Sequence, residues 1–145
     1  MNSFKPSILL LGGLGVLACS DNESPPAEDH TPTSYTIQVN DLPVTAPYTF
    51  TSGEAVRVKI NFFNQAQEDL DDVESSHFGG LTFDPASLAT VTRVSDHNYQ
   101  FDVTGETPGA GTLRVSYGHD EAADEHTLPT AAVTVEDGGG LASRR

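Results

Sequence analysis

Apolar and polar side chains alternate with a period of two between residues 34 and 136. In the clearest run Val56, Val58 and Ile60 alternate with polar residues. Successive side chains of a β-strand point to opposite faces, so this alternation predicts strands with one buried face. Seven such runs occur, at 35–39, 56–62, 81–83, 89–94, 99–103, 113–117 and 131–135, and turn-forming residues separate them. Short strands at this spacing predict one domain at 34–136, folded as a two-sheet antiparallel sandwich.

The number and spacing of these strands resemble the immunoglobulin-like domains common in bacterial surface proteins. The resemblance covers residues 34–136 and rests on periodicity, because the chain has no Trp and its single Cys, Cys19, lies outside the domain. It implies an all-β fold with seven strands in one immunoglobulin-like sandwich. Such folds carry many unrelated activities, so the resemblance implies no particular function.

The N-terminus reads as a secretion signal. Lys5 precedes an apolar stretch at residues 8–18, which is too short to span a bilayer. The stretch ends in Leu17-Ala18-Cys19-Ser20, which resembles the lipobox of bacterial lipoproteins. The resemblance implies that residues 1–18 are a cleaved signal peptide and that Cys19 carries a lipid such as palmitate, which anchors the chain in a membrane. Ser20 lacks the Asp that favours inner-membrane retention, and this favours the outer membrane.

The segments on either side of the domain have compositions typical of disorder. Residues 19–33 hold the lipidated Cys19 and a polar, acidic, Pro-rich stretch, which we interpret as a disordered tether. His30 lies in this stretch, and we expect it to be solvated. Residues 137–145 are Gly-rich, and we expect a disordered tail.

The charge balance excludes one large class of partner. The chain has 7 Lys and Arg against 21 Asp and Glu, for a formal net charge of -14. Binding to nucleic acid requires cationic side chains that replace counterions on phosphate, so no nucleic-acid partner is expected.

Histidines and carboxylates collect on three predicted loops. If successive strands run in opposite directions, the loops at about 64–77, 95–99 and 118–130 emerge at one end of the sandwich. All four histidines of the domain lie there: His77, His97, His119 and His126. The first three continue the inward-facing rows of their strands, so the parity predicts three imidazoles that converge over one end of the core. A turn at Gly79-Gly80 or at Asp96-His97 would break this count.

Three imidazoles suit a transition metal such as zinc or copper. We expect His77, His97 and His119 as metal ligands, with His126, Asp120 or Glu121 as a fourth. The predicted function is therefore metal binding by an envelope lipoprotein. No phosphate loop, CxxC or HExxH motif occurs, so we expect no enzyme. The alternative is an adhesion or scaffold module that binds another envelope protein.

Overall fold

Eleven β-strands form two facing sheets within residues 30–70 and 76–139, which are the parts of the chain that this computed structural model describes. The predicted signal peptide, the stretch with Cys19 that resembles a lipobox, the predicted tether up to residue 29 and the predicted tail beyond residue 139 lie outside the described residues. Over the described ranges, no helix has the length and apolar character needed to cross a membrane.

The strands are numbered in chain order. They are β1 (Ser34–Val39), β2 (Leu42–Val44), β3 (Tyr48–Thr51), β4 (Ala55–Phe63), β5 (Asp69–Leu70), β6 (Phe78–Asp84), β7 (Ala89–Arg93), β8 (Gln100–Gly105), β9 (Gly109–Gly118), β10 (His126–Thr127) and β11 (Ala131–Glu136). A short 3-10 turn, Ala86–Leu88, joins β6 to β7.

The two sheets confirm the all-β sandwich predicted from the alternation. One sheet has the order β2-β1-β4-β8-β7, with β5 paired to the end of β4. The other has the order β10-β9-β11-β3, with β6 also paired to β9. The pairings are antiparallel except for that of β3 with β11, which is parallel. The seven runs predicted from the sequence fall in β1, β4, β6, β7, β8, β9 and β11.

The core is built from the inward-facing residues of those runs. On β4 the side chains of Val58, Ile60 and Phe62 are fully buried, whereas the residues between them are partly exposed. Val103 of β8 and Val115 of β9 are also fully buried. Burying a side chain of this size stabilises the fold by about 1.5–3 kcal/mol relative to leaving it exposed. A shift of one residue in strand pairing would turn these side chains to the solvent, so their burial fixes the pairing register.

The three loops expected at one end of the sandwich do meet there. The backbone N–H of Gly79 donates to the carbonyl of Asn98 at 3.0 Å, which joins the start of β6 to the β7–β8 turn. Arg93 Nη2 donates to the carbonyl of Glu121 at 3.0 Å and to that of Gly79 at 2.7 Å, which joins both to the loop after β9. We call this the histidine end of the sandwich.

Candidate functional site

Two histidines face each other at the histidine end. The Nε2 atoms of His77 and His119 lie 3.1 Å apart, and the ring centres are 4.4 Å apart. The strand register explains the pairing. Phe78 of β6 lies opposite Gly118 of β9 in an antiparallel ladder, so His77 and His119 occupy the next pair of opposed positions. Side chains directly opposite on an antiparallel pair lie close together, so the ladder itself brings the two imidazoles into contact.

The ring of His77 is buried and contacts the rings of His30, Tyr117 and His119. The residue is only 6% exposed. Its ring stacks on Tyr117 at 5.4 Å and on His30 at 5.2 Å, with interplanar angles of 19° and 20°. Ser76 Oγ lies 3.2 Å from its Nδ1. These contacts fix the ring plane, so Nε2 is directed at His119.

His119 is the exposed member of the pair, and a carboxylate orients it. Its Nδ1 lies 2.6 Å from Glu125 Oε2, and its backbone N–H donates to Glu125 Oε1 at 3.3 Å. The hydrogen bond from the His119 side chain lowers the pKa of Glu125 below its ordinary value. An ionised carboxylate can only accept hydrogen bonds, so Nδ1 carries the proton. When the ring is neutral, the Nε2 that faces His77 then carries the lone pair.

The two Nε2 atoms lie at the distance of a hydrogen bond between the rings, and this distance is also near the one that separates two nitrogen ligands of one metal ion. With zinc–nitrogen bonds of about 2.0–2.1 Å, two nitrogens on a tetrahedral ion lie about 3.3 Å apart. The 3.1 Å between the two Nε2 atoms needs little adjustment to reach that value. A carboxylate that accepts the second ring N–H is the usual partner of a metal-bound histidine, and Glu125 has that position.

His97 does not join the pair, and this corrects the expected convergence of three imidazoles. Asp96 has a φ of 63°, so a turn interrupts the extended chain before β8 begins at Gln100. The parity count therefore fails at Asp96-His97. His97 is exposed, and its Nδ1 lies 3.3 Å from Gln100 Nε2. It lines a surface cavity of about 400 Å³ together with Arg93 and Glu121.

The three residues expected to supply a fourth ligand have other contacts. His126 lies on β10 opposite Tyr117, with the ring centres 6.3 Å apart. Asp120 Oδ1 accepts a hydrogen bond from the backbone N–H of Ala122 at 3.0 Å, and Glu121 lines the same surface cavity as His97. Among residues 30–70 and 76–139, no group of three or more His, Cys, Asp or Glu side chains is arranged to hold a metal ion.

Two residues that the sequence did not single out contact the pair. Glu125 is one of many loop acids, and no spacing rule distinguishes it from Asp124. His30 was expected to be a solvated tether residue, yet its ring stacks on that of His77. Its neighbours also contact the domain: Pro32 is buried, and the backbone N–H of Thr33 donates to the carbonyl of Phe63 at 2.8 Å. Such tertiary contacts leave no periodic signal in a polar, Pro-rich segment.

No protein-family model and no curated protein match this chain. Solved structures of the S-layer protein SbsC are similar in fold. Domains 4 and 5 align with a TM-score of 0.45 at 20% identity over 73% of this chain, and domains 4–9 with 0.48 at 21% over 77%. Domains 5–6 align with 0.47 at 21% over 76%. This chain covers 54%, 15% and 47% of those chains respectively, so it spans about half of their length or less.

Proposed function

We propose that this chain is a cell-envelope lipoprotein whose β-sandwich binds a divalent transition metal, zinc or copper, without catalysis. The observation that supports metal binding is the 3.1 Å separation of the Nε2 atoms of His77 and His119. The lipobox resemblance supports attachment to a membrane, with the outer membrane as the proposed location, through lipid on Cys19.

The surroundings of the pair favour a cation. Glu125 is hydrogen-bonded to His119, and Asp120 and Glu121 lie on the same loop. The formal net charge of -14 raises the local concentration of cations around the whole chain. Zinc and copper both accept imidazole nitrogen, whereas calcium prefers oxygen ligands. A pair of imidazoles therefore selects transition metals over calcium.

Two protein ligands leave coordination positions for water or for another donor. Closed sites with four protein ligands are typical of structural zinc, whereas open positions permit exchange. One imidazole of the pair is buried, and the side chain of the other is 58% exposed. These features suit a site that captures a metal ion and releases it again, and this is the role that we propose.

Zinc titration of the full chain in detergent, followed by calorimetry, tests the proposal. We expect one zinc ion per chain. His119→Ala and His77→Gln should each weaken binding about 10-fold or more, because each removes a ligand nitrogen. His97→Ala is the matched control, since it deletes an imidazole from the same end of the sandwich but outside the pair, and should bind zinc as the wild type does. Circular dichroism of each variant checks that the sheet content is retained.

An absence of zinc or copper binding by the wild-type chain would overturn the proposal. The scaffold role would then be the leading hypothesis. Among the described residues, Leu42 on the edge strand β2 is a large apolar residue that is 68% exposed. A substitution at Leu42 would therefore test for binding of a protein partner. Pro43 beside it lacks a backbone N–H, which limits strand addition at this edge.

A further inference from the structure

We propose that strand β7 accepts an extended, basic segment of a partner protein as an additional antiparallel strand of its sheet. Strand addition would use the backbone of β7 and not the histidines, so it is independent of the proposed metal site. The surface would give the domain a second role, the recognition of another protein.

Strand β7 is the last strand of its sheet, and within the described residues it pairs with β8 alone. Hydrogen bonds just beyond its two ends show which backbone groups face β8. The carbonyl of Leu88 accepts from the N–H of Glu106 at 2.8 Å, and the N–H of Val94 donates to the carbonyl of Gln100 at 2.9 Å. Both even-numbered residues therefore bond toward β8.

The outward-facing backbone groups of β7 belong to its odd-numbered residues. Along an antiparallel strand, residues that bond to the partner alternate with residues that do not. Ala89, Val91 and Arg93 therefore direct their N–H and C=O groups to the open edge. The strand has no Pro and no Lys, and its register with β8 is regular, without a bulge. Natural proteins use those three features to prevent strand addition at an edge, so this edge is open to a further strand.

The charged side chain of β7 is held inside the sandwich. The guanidinium of Arg93 lies over the rings of Phe78 and Phe101, at 5.2 and 5.8 Å from their centres. It also donates to the carbonyls of Gly79 and Glu121. These contacts keep the side chain off the open edge, so it does not obstruct an added strand.

A groove beside β7 can receive side chains of the added strand. Strands β6 and β7 are at the edges of the two sheets, and a cavity of about 390 Å³ lies between them. Its lining includes Leu81, Phe83, Ala89, Val91 and Phe101. Opposed residues of an antiparallel pair have their side chains on the same face of the sheet. Partner residues opposite Ala89 and Val91 would therefore direct their side chains into this groove.

The charge around β7 selects a basic segment. The formal net charge of the chain is -14, so a second copy of the chain would be repelled. The exposed residues Glu106 and Glu121 lie beside the two ends of the strand, where they contact Leu88 and Arg93 through their backbones. A segment with lysine at each end and short apolar side chains between them complements this edge.

A synthetic peptide tests strand addition to the full chain in detergent. The peptide Lys-Thr-Val-Thr-Val-Thr-Lys, blocked at both ends and labelled with a fluorophore, presents valines to the groove and threonines to solvent. Fluorescence anisotropy should show saturable binding of one peptide per chain. The same peptide with both lysines replaced by glutamate should bind about 10-fold or more weakly, because its charges repel Glu106 and Glu121.

N-Methylation of the peptide tests the pairing itself. In the antiparallel arrangement, the residues that hydrogen-bond to β7 are those whose side chains enter the groove, which are the two valines. N-Methyl groups on both valines remove these donors and should abolish binding. N-Methyl groups on the first two threonines are the matched control and should leave binding intact, because those N–H groups face away from β7.

Val91→Pro tests the same contact from the side of the protein. Proline removes an N–H that faces the open edge and takes no part in the ladder with β8, and edge strands tolerate proline at such positions. Circular dichroism should therefore show retained sheet content, whereas peptide affinity should fall about 10-fold or more. Val91→Thr keeps the N–H and should bind the peptide as the wild type does.

Absence of peptide binding by the wild-type chain would overturn strand addition at β7, as would equal binding of the two peptides methylated at valine and at threonine. Equal binding of the lysine and glutamate peptides would overturn the basic partner. So would a dimer of the peptide-free chain in sedimentation that Val91→Pro converts to a monomer, because the occupant would then be a second copy. His119→Ala should bind the peptide as the wild type does, so failure of the metal site and failure of strand addition are separable.

Discussion

The side-chain amide of Asn98 donates a hydrogen bond to the backbone carbonyl of His77 at 2.7 Å. The Asn98 carbonyl in turn accepts from the N–H of Gly79 at 3.0 Å, so one residue of the β7–β8 turn holds the chain on both sides of Phe78. This turn belongs to one sheet and His77 to the start of a strand in the other. The hydrogen bonds of Asn98 therefore fix the backbone of His77 across the sandwich.

Replacing Asn98 by Ala should destabilise the domain and loosen the histidine pair. The substitution leaves the His77 carbonyl without this donor, and we expect the free energy of unfolding to fall by about 1 kcal/mol. Urea unfolding measures the change. Ser95→Ala alters an exposed residue of the same turn and serves as the control. Equal urea midpoints for Asn98→Ala and the wild type would contradict the anchoring role.

Glu125→Gln should weaken zinc binding without removing a ligand. Glu125 accepts the Nδ1–H of His119 at 2.6 Å, and loss of its charge lowers the basicity of that imidazole. Outer partners of this kind typically change metal affinity 10- to 100-fold, and we expect about 10-fold. Asp124→Asn makes the same charge change at the adjacent exposed position, so a similar loss in both variants would show that net charge, not the hydrogen bond, controls affinity.

Gly111→Ala should destabilise the sandwich, whereas Gly109→Ala on the same strand should not. A Cβ on Gly111 would overlap the backbone carbonyl oxygen of Asp84 and lie 2.5 Å from Leu88 Cδ1. Relief of such crowding typically costs about 1–3 kcal/mol. A Cβ on Gly109 would meet Leu88 at an ordinary 3.4 Å. Thermal unfolding compares the two variants, and equal melting temperatures would contradict the close approach of β9 to Asp84.

Alkaline pH should destabilise the fold through two tyrosines. Burial raises the pKa of Tyr35 and of Tyr48 above the ordinary 10.0, and the neighbouring Tyr48 adds to the shift at Tyr35. The folded chain therefore keeps these phenol protons at a pH where the unfolded chain has released them. Unfolding then releases protons, so stability falls as the pH rises through about 10.

The double variant Tyr35→Phe, Tyr48→Phe tests this dependence. Tyr35 also donates to the carbonyl of Pro129 at 3.0 Å, so the absolute stability of the variant should fall at every pH. The informative quantity is the loss of stability between about pH 9 and about pH 11, which should be smaller in the variant. Urea unfolding at both pH values measures it, and an identical loss in the two proteins would assign the alkaline instability to other groups.

The fold could be predicted from the sequence where several inward residues share one strand. Val58, Ile60 and Phe62 leave one register in which all are buried, so β4 was recognised. The strand β3 was missed because it offers two inward residues, Tyr48 and Phe50, after a Pro-containing turn. Its parallel pairing with β11 could not follow from alternation, which carries no information on strand direction.

The sequence predicted part of the candidate site, as it predicted part of the fold. Parity predicts His77 and His119 on the inward rows, but the register of β6 with β9 is what places them opposite each other, and alternation does not predict that register. His97 lies beyond a residue with positive φ, Asp96, and alternation does not extend through such a turn. The contact of His30 with His77 depends on how a non-periodic segment packs, so no local pattern encodes it.

The hydrogen bond between Thr33 and Phe63 places the segment that leads from Cys19 at the histidine end of the sandwich. Cys19 and His30 are eleven positions apart, which is at most about 40 Å of fully extended chain. Strand β11 ends at the other end of the sandwich, where the backbone N–H of Ser52 donates to the carbonyl of Glu136 at 2.8 Å. The paired imidazoles lie at the histidine end, so a lipid on Cys19 would attach to the domain through the end that carries His77 and His119.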